Sequence, residues 1–170
     1  MIILGIDPGY AIVGYGVIEK DARGKIRPLA YGTIDTHKDT PFPIRLAEIA
    51  DGMKRLIEKF KPDEIAVEEL FFNNNITTGI AVAEARGVIV CTAVKECGKL
   101  FEYTPLEIKL SITGNGRAEK KQVQYMTVAI LGLKAIPKPD DAADALAVAL
   151  CHAQTNQNLL AKRSNIWLVL

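Results

Sequence analysis

The sequence is poor in aromatic residues, which fill 6% of its 170 positions and include one tryptophan, Trp167. A core of ordinary size must therefore come from Ile, Leu, Val and Ala, within a hydrophobic content of 49%. Such a composition suits buried strands covered by helices. Cysteine is scarce as well: Cys91, Cys97 and Cys151 are odd in number, and no two stand at zinc-site spacing. That excludes a disulfide framework and points to reduced, mostly buried thiols in a cytoplasmic protein. Cys91 and Cys97, six apart in a predicted helix, fall on different faces. No stretch approaches the roughly 18 uncharged apolar residues of a membrane span. The opening Met1–Gly5 lacks the basic flank and cleavage site of a signal peptide, and reads as the first strand.

Net charge is also nearly absent, at +1. The balance is uneven, however. Residues 1–85 carry 10 basic and 13 acidic side chains, residues 86–138 carry 9 and 4, and residues 139–170 carry 2 and 3. The acidic segments are suited to supply a site and the basic middle to face an anionic partner, although solvated surface alone would also explain the pattern.

Repeats and low-complexity stretches are missing too. What is present reads as one domain over residues 1–155, followed by a tail at 156–170 that has no clear period. Met1–Asp7 is an apolar run ending at Pro8-Gly9, a buried strand and a turn. Val13–Glu19 and Arg27–Asp35 complete an antiparallel meander. Leu46, Ile49, Met53, Leu56, Ile57 and Phe60 recur at helical spacing within Phe42–Phe60, and Pro62 stops that helix. A fourth strand at Asp63–Glu68, a helix from Thr77 to Gly98 and a fifth strand at Leu100–Tyr103 follow. A loop with Gly114-Asn115-Gly116 precedes a helix from Glu119 to about Leu131, and Asp140–Ala153 forms the last helix. The order βββαβαβαα, with right-handed crossovers after the meander, gives a mixed five-stranded α/β sheet in order 3-2-1-4-5 with helices on both faces.

Two carboxylates stand out against this frame. Asp7 closes Ile2-Ile3-Leu4-Gly5-Ile6, where a buried charge is costly unless paired or bound to a cation; capping of the Pro8-Gly9 turn is the simpler role. Glu68 closes Ile65-Ala66-Val67 in the same way. Parallel neighbouring strands would project both from one sheet edge, where open α/β sheets place their sites. Glu69 competes with Glu68, since adjacent strand residues point to opposite faces. In Asp140-Asp141-Ala142-Ala143-Asp144, Asp141 and Asp144 share a helix face, as do Asp140 and Asp144. Capping and the helix dipole explain Asp140, but they explain Asp144 poorly. Converging carboxylates suit hard divalent cations, and two Mg²⁺ ions would fit an in-line phosphodiester hydrolysis.

Gly5-Ile6-Asp7-Pro8-Gly9, Ala66-Val67-Glu68-Glu69-Leu70-Phe71, Ala85-Arg86-Gly87 and Asp141-Ala142-Ala143-Asp144-Ala145-Leu146 together resemble the RuvC family of bacterial Holliday-junction resolvases. The resemblance runs from about residue 2 to residue 158. It implies an RNase H-like fold and a Mg²⁺-dependent homodimer, with Mn²⁺ as a substitute ion. Such a dimer nicks four-way junction DNA symmetrically, leaving 5′-phosphate and 3′-hydroxyl ends, and works with the RuvA–RuvB branch-migration complex. By the same resemblance Asp7, Glu68, Asp141 and Asp144 hold the metal, with Asp140 outside the set. Lys109 and Lys120 serve the scissile phosphate, and Phe71 meets bases near the junction centre. Either Phe71 or Phe72 would otherwise tuck into the core. Asn73 beside them, and Arg86, Arg117, Lys121 and Lys138, are candidates for DNA contact. The helix Ile80–Val94, apolar on more than one face and lined with Ala81, Ala83, Ala85 and Gly87, is the implied dimer interface. His37 and His152 have no motif around them.

Three other readings bear weighing. Two-domain sugar kinases and related ATPases share this topology and an Asp-bearing turn, but need a second domain. Another RNase H-like nuclease acting on RNA could share the acidic core. A junction-binding relative without catalysis would not need all four carboxylates.

Overall fold

The computed structural model describes residues 1–70 and 76–155, the side chains of residues 76–78 excepted. Phe71, Phe72, Asn73 and the tail with Trp167 lie outside the described residues. β1 (Ile2–Asp7), β2 (Ile12–Lys20) and β3 (Ile26–Asp35) form the meander. α1 (Phe42–Phe60) leads to β4 (Glu64–Glu68), and α2 (Ile76–Glu96) leads to β5 (Leu100–Tyr103). α3 (Pro105–Thr113), α4 (Lys120–Leu131) and α5 (Asp140–Gln154) follow. The sheet order is β3-β2-β1-β4-β5. β1 is antiparallel to β2, with Asp7 opposite Gly14, and parallel to β4, with Ile6 opposite Val67. β4 is parallel to β5, so the carboxyl ends of β1, β4 and β5 share one edge.

Strand alternation sorts the core into two layers. Ile3, Ile18, Ala66 and Phe101 face α3, α4 and α5, while Leu4, Ile6, Val17, Ile65 and Val67 face α1 and α2. On α1 the buried stripe is Ile49, Met53, Leu56 and Ile57, as its spacing requires. Lys61 ends the helix in a left-handed conformation ahead of Pro62.

α5 lies unusually close to the sheet. Methyl groups placed on Gly5, Gly14 and Gly16 would fall 2.3 Å from the Ala145 oxygen, 2.1 Å from the Asp141 oxygen and 2.7 Å from the Leu146 nitrogen. The strands therefore offer bare backbone, and α5 answers with small residues, Ala142, Ala145 and Ala149, all fully buried. At its far end His152 is locked by the Tyr103 hydroxyl at its Nδ1 and the Glu64 carboxylate at its Nε2, both at 2.7 Å. His152 is thus a core histidine with two partners.

Two expectations need correction. The segment after β5 is a helix, α3, where the sequence pattern gave only connection. Thr104 caps it reciprocally with Glu107, Pro105 takes the first turn, and Gly114 closes it with φ 72°. Its short amphipathic stretch is masked by Leu106 and Leu110, which are exposed. The cysteines are also less buried than composition implied: Cys91 is exposed, Cys97 partly covered and Cys151 buried. α2 buries one stripe, Ala85, Ile89 and Ala93, within the chain, and leaves Ile80 56% exposed.

Candidate active site

β1 and β4 end side by side and bring Asp7 and Glu68 to the same edge. The first turns of α5, set directly on the glycines of β1 and β2, bring Asp141 and Asp144 over that edge. A cleft of about 360 Å³ opens there, lined by Asp7, Glu68, Lys109, Lys120 and Asp144, with Pro105, Ile108, Val123 and Ala147 as its apolar walls. Glu69 lines a different cleft, of about 400 Å³, together with Leu70, Ala83, Arg86 and Glu102. The pleat therefore separates the two glutamates, and Glu68 is the one beside Asp7.

The electrostatics of the cleft are those of crowded acids. Burial pushes the Asp7 carboxyl well above its usual range, and the charges of Glu68, Asp144 and Asp141 push it further. Glu68 rises to about 7, first through burial and then through Asp144, against the pull of Lys120, Lys109 and a hydrogen bond with Asp7. Asp144 is held by two donors from one face of α4: Lys120 Nζ at 2.6 Å from Oδ2 and Gln124 Nε2 at 3.3 Å from Oδ1. Partial burial pulls the Lys120 ammonium down, but its hydrogen bond to Asp144 and the charges of Asp144, Asp7 and Asp140 outweigh this and raise it. Asp140 stands apart, in an exposed pair with Lys138 that holds its carboxyl below the usual range.

This donor set fits a hard divalent cation. It is all carboxylate oxygen, it converges on one edge, and burial with neighbouring negative charge raises the proton affinity of Asp7 and Glu68, which a cation would reverse. Among the described residues no three acidic, histidine or cysteine side chains stand close enough to form a ready coordination set. Lys120 serves as the counter-ion of Asp144 in this arrangement.

The other sequence candidates divide. Lys109, on α3, and Lys120, at the start of α4, both line the cleft. Arg117 and Lys121 are exposed beside the amino end of α4. Arg86 is tied inside the chain: it pairs with Glu102 and donates to the Glu68 carbonyl at 3.4 Å. Phe71 and Asn73 lie outside the described residues. Sequence reasoning passed over Gln124, whose signal was its position four residues beyond Lys120.

Comparison with known proteins resolves the ambiguity that geometry leaves. Residues 3–152 match the family described as crossover junction endodeoxyribonuclease RuvC. The chain belongs to the RuvC family. Relatives carrying that description include one from Brevibacillus brevis, 52% identical over 91% of this chain and 92% of the relative. Another, from Ruminiclostridium cellulolyticum, is 53% identical over 92% and 94%. Among solved structures, T. thermophilus RuvC in complex with a Holliday junction substrate superposes with a TM-score of 0.83 at 36% identity, covering 90% of this chain and 93% of that one. A yeast mitochondrial Holliday junction resolvase, at 17% identity and a TM-score of 0.68, shares the fold. The sheet is RNase H-like, as the resemblance implied, and membership in this nuclease family implies use of a divalent metal ion.

Proposed function

We propose that this chain is a structure-selective endonuclease that resolves four-way DNA junctions by paired symmetric nicks, leaving 5′-phosphate and 3′-hydroxyl ends. The observation that carries the reading is the convergence of Asp7, Glu68 and Asp144 with Lys109 and Lys120 in one cleft of a RuvC-family fold. Asp7, Glu68, Asp141 and Asp144 would hold the ions, two Mg²⁺ with Mn²⁺ as a substitute. When bound they supply charge neutralisation, a polarised attacking water and stabilisation of the leaving 3′ oxygen.

The remaining work falls to the side chains. Lys120, 59% exposed and drawn towards the cleft by Asp144, can pass from that carboxylate to a scissile phosphate. Lys109, on α3, lines the same cleft. Both then stabilise charge gathering on the phosphate as the bond breaks. Ile108, Val123 and Ala147 keep that charge out of bulk water, where the same attraction would be weaker. Arg117 and Lys121, exposed beside α4, grip backbone phosphates and give salt-sensitive binding. Phe71 and Asn73 are further DNA contacts, and Arg86 could join them only by leaving Glu102. Two chains pair through α2, whose Ile80 is left open, so that one junction meets two sites. Residues 1–155 make the nuclease domain and 156–170 its tail. No described helix is long and apolar enough to cross a membrane; we place the protein in the cytoplasm, acting with RuvA–RuvB.

The deciding experiment compares a mobile four-way junction with a linear duplex of the same sequence, in Mg²⁺, in EDTA, and with Asp7→Asn. Symmetric metal-dependent nicks in the junction alone are expected. Tight junction binding without cutting would make the chain a binding-only relative, and neither binding nor cutting would direct attention to RNA.

A further inference from the structure

We infer that Gln124 is a positioning residue for the metal site: it holds Asp144 in place while Lys120 leaves that carboxylate for the substrate. The inference rests on the metal-nuclease reading above.

Gln124 sits on the buried face of α4 with Val123, Thr127 and Leu131, and only 4% of it is exposed. An amide in such a place is costly unless hydrogen-bonded, and an aliphatic side chain of similar size would fill the space without that cost. Its Nε2 donates to Asp144 Oδ1 at 3.3 Å. Lys120, one turn earlier, takes Oδ2 at 2.6 Å. The two donors are thus split over the two oxygens of one carboxylate, and they differ in kind. Lys120 is charged, long and 59% exposed; Gln124 is neutral and enclosed.

That difference assigns their tasks. A cation entering the cleft competes with the Lys120 ammonium for Asp144, because both need the same negative charge. An amide does not compete in this way, since it orients the carboxylate without neutralising it. When Lys120 moves away, Gln124 keeps Oδ1 directed and spares Asp144 the cost of being fixed anew. Partners that orient a metal ligand from behind act on affinity in this manner.

The test uses Gln124→Leu and the unbranched Gln124→Met, each as the full chain. Mn²⁺ affinity is read by electron paramagnetic resonance, alongside the rise in melting temperature that Mn²⁺ produces, junction binding in EDTA, and the Mg²⁺ dependence of cleavage. The expected result is a metal affinity about tenfold weaker, with a matching rise in the Mg²⁺ needed for half-maximal cleavage. Junction binding in EDTA should stay within about twofold of wild type, and cleavage should recover at high Mg²⁺. Mn²⁺ affinity equal to wild type in either folded variant overturns the inference and makes Gln124 a core residue. Loss of folding in both variants overturns it too, since the role is then structural. A wild-type protein that binds no Mn²⁺ defeats the functional reading itself, which separates the two failures.

Discussion

At the scale of single residues, the cleft stores a conflict that a bound cation removes. Asp7 is protonated more readily in the folded chain than in the unfolded one, so the fold binds extra protons and loses stability as pH rises past the ordinary carboxylate range. Metal-free Asp7→Asn is therefore expected to melt above wild type at pH 8, by about 2–4 °C for each kcal/mol of relief in a chain of this size. Added Mg²⁺ should stabilise the wild type and narrow or reverse the gap, and scanning calorimetry with and without EDTA reads both. Glu68, raised to about 7, sets a second dependence. Below that pH a proton competes with the metal, so the Mg²⁺ needed for half-maximal cleavage should climb by up to about tenfold per pH unit. A flat dependence between pH 6 and 8 would remove Glu68 from the ligands. Lys120→Ala should slow cleavage by about 10²-fold or more while changing junction affinity much less. A variant that only binds more weakly would make Lys120 a docking residue.

At the scale of elements, the seat of α5 on the sheet decides where two of the four carboxylates stand. Gly14→Ala places a methyl against the Asp141 carbonyl, a backbone group that cannot rotate aside. Overpacking of this kind costs about 1–3 kcal/mol, and the displaced first turn should lower cleavage in the protein that still folds. Melting temperature and single-turnover rate, measured together, check this; a stable and fully active Gly14→Ala would show that α5 has slack. Much of this architecture was legible beforehand. The apolar runs of β1 and β4, the stripe on α1 and the Pro stops are local signals, and they marked the strand ends where Asp7 and Glu68 lie. α3 was not legible by apolar spacing, because Leu106 and Leu110 face outward and leave Ile108 and Ile112 as a thin buried line. Its real signature was at the terminus, in Thr104, Pro105 and Glu107. Alternation alone left Glu68 and Glu69 open, the resemblance chose Glu68 and the two clefts separate them, while the pairing of Gln124 with Asp144 needed two helices brought together from 20 residues apart.

At the scale of the whole molecule, α2 leaves apolar surface that its own chain does not cover. One stripe is buried, and Ile80 stands in solvent among half-buried Ala81, Val82 and Ala83. A second chain packed there would cover it, so Ile80→Asp is expected to shift sedimentation at micromolar concentration from dimer to monomer. Paired nicking should fall to single nicking with it. A wild-type monomer under those conditions would end the two-site scheme. Arg86, on the same helix, reaches the Glu68 carbonyl and Glu102, so α2 is tied directly to the strand end that carries Glu68. The bare backbone of β1 and β2 has its own long reach. Replacing glycine by alanine in regular structure is a standard route to a hardier protein, and strand glycines such as Gly5, Gly14 and Gly16 look like natural targets. Here each is a missing side chain that α5 occupies. A thermostabilised version of this enzyme will have to leave those three positions alone and look for its gains in the outer helices.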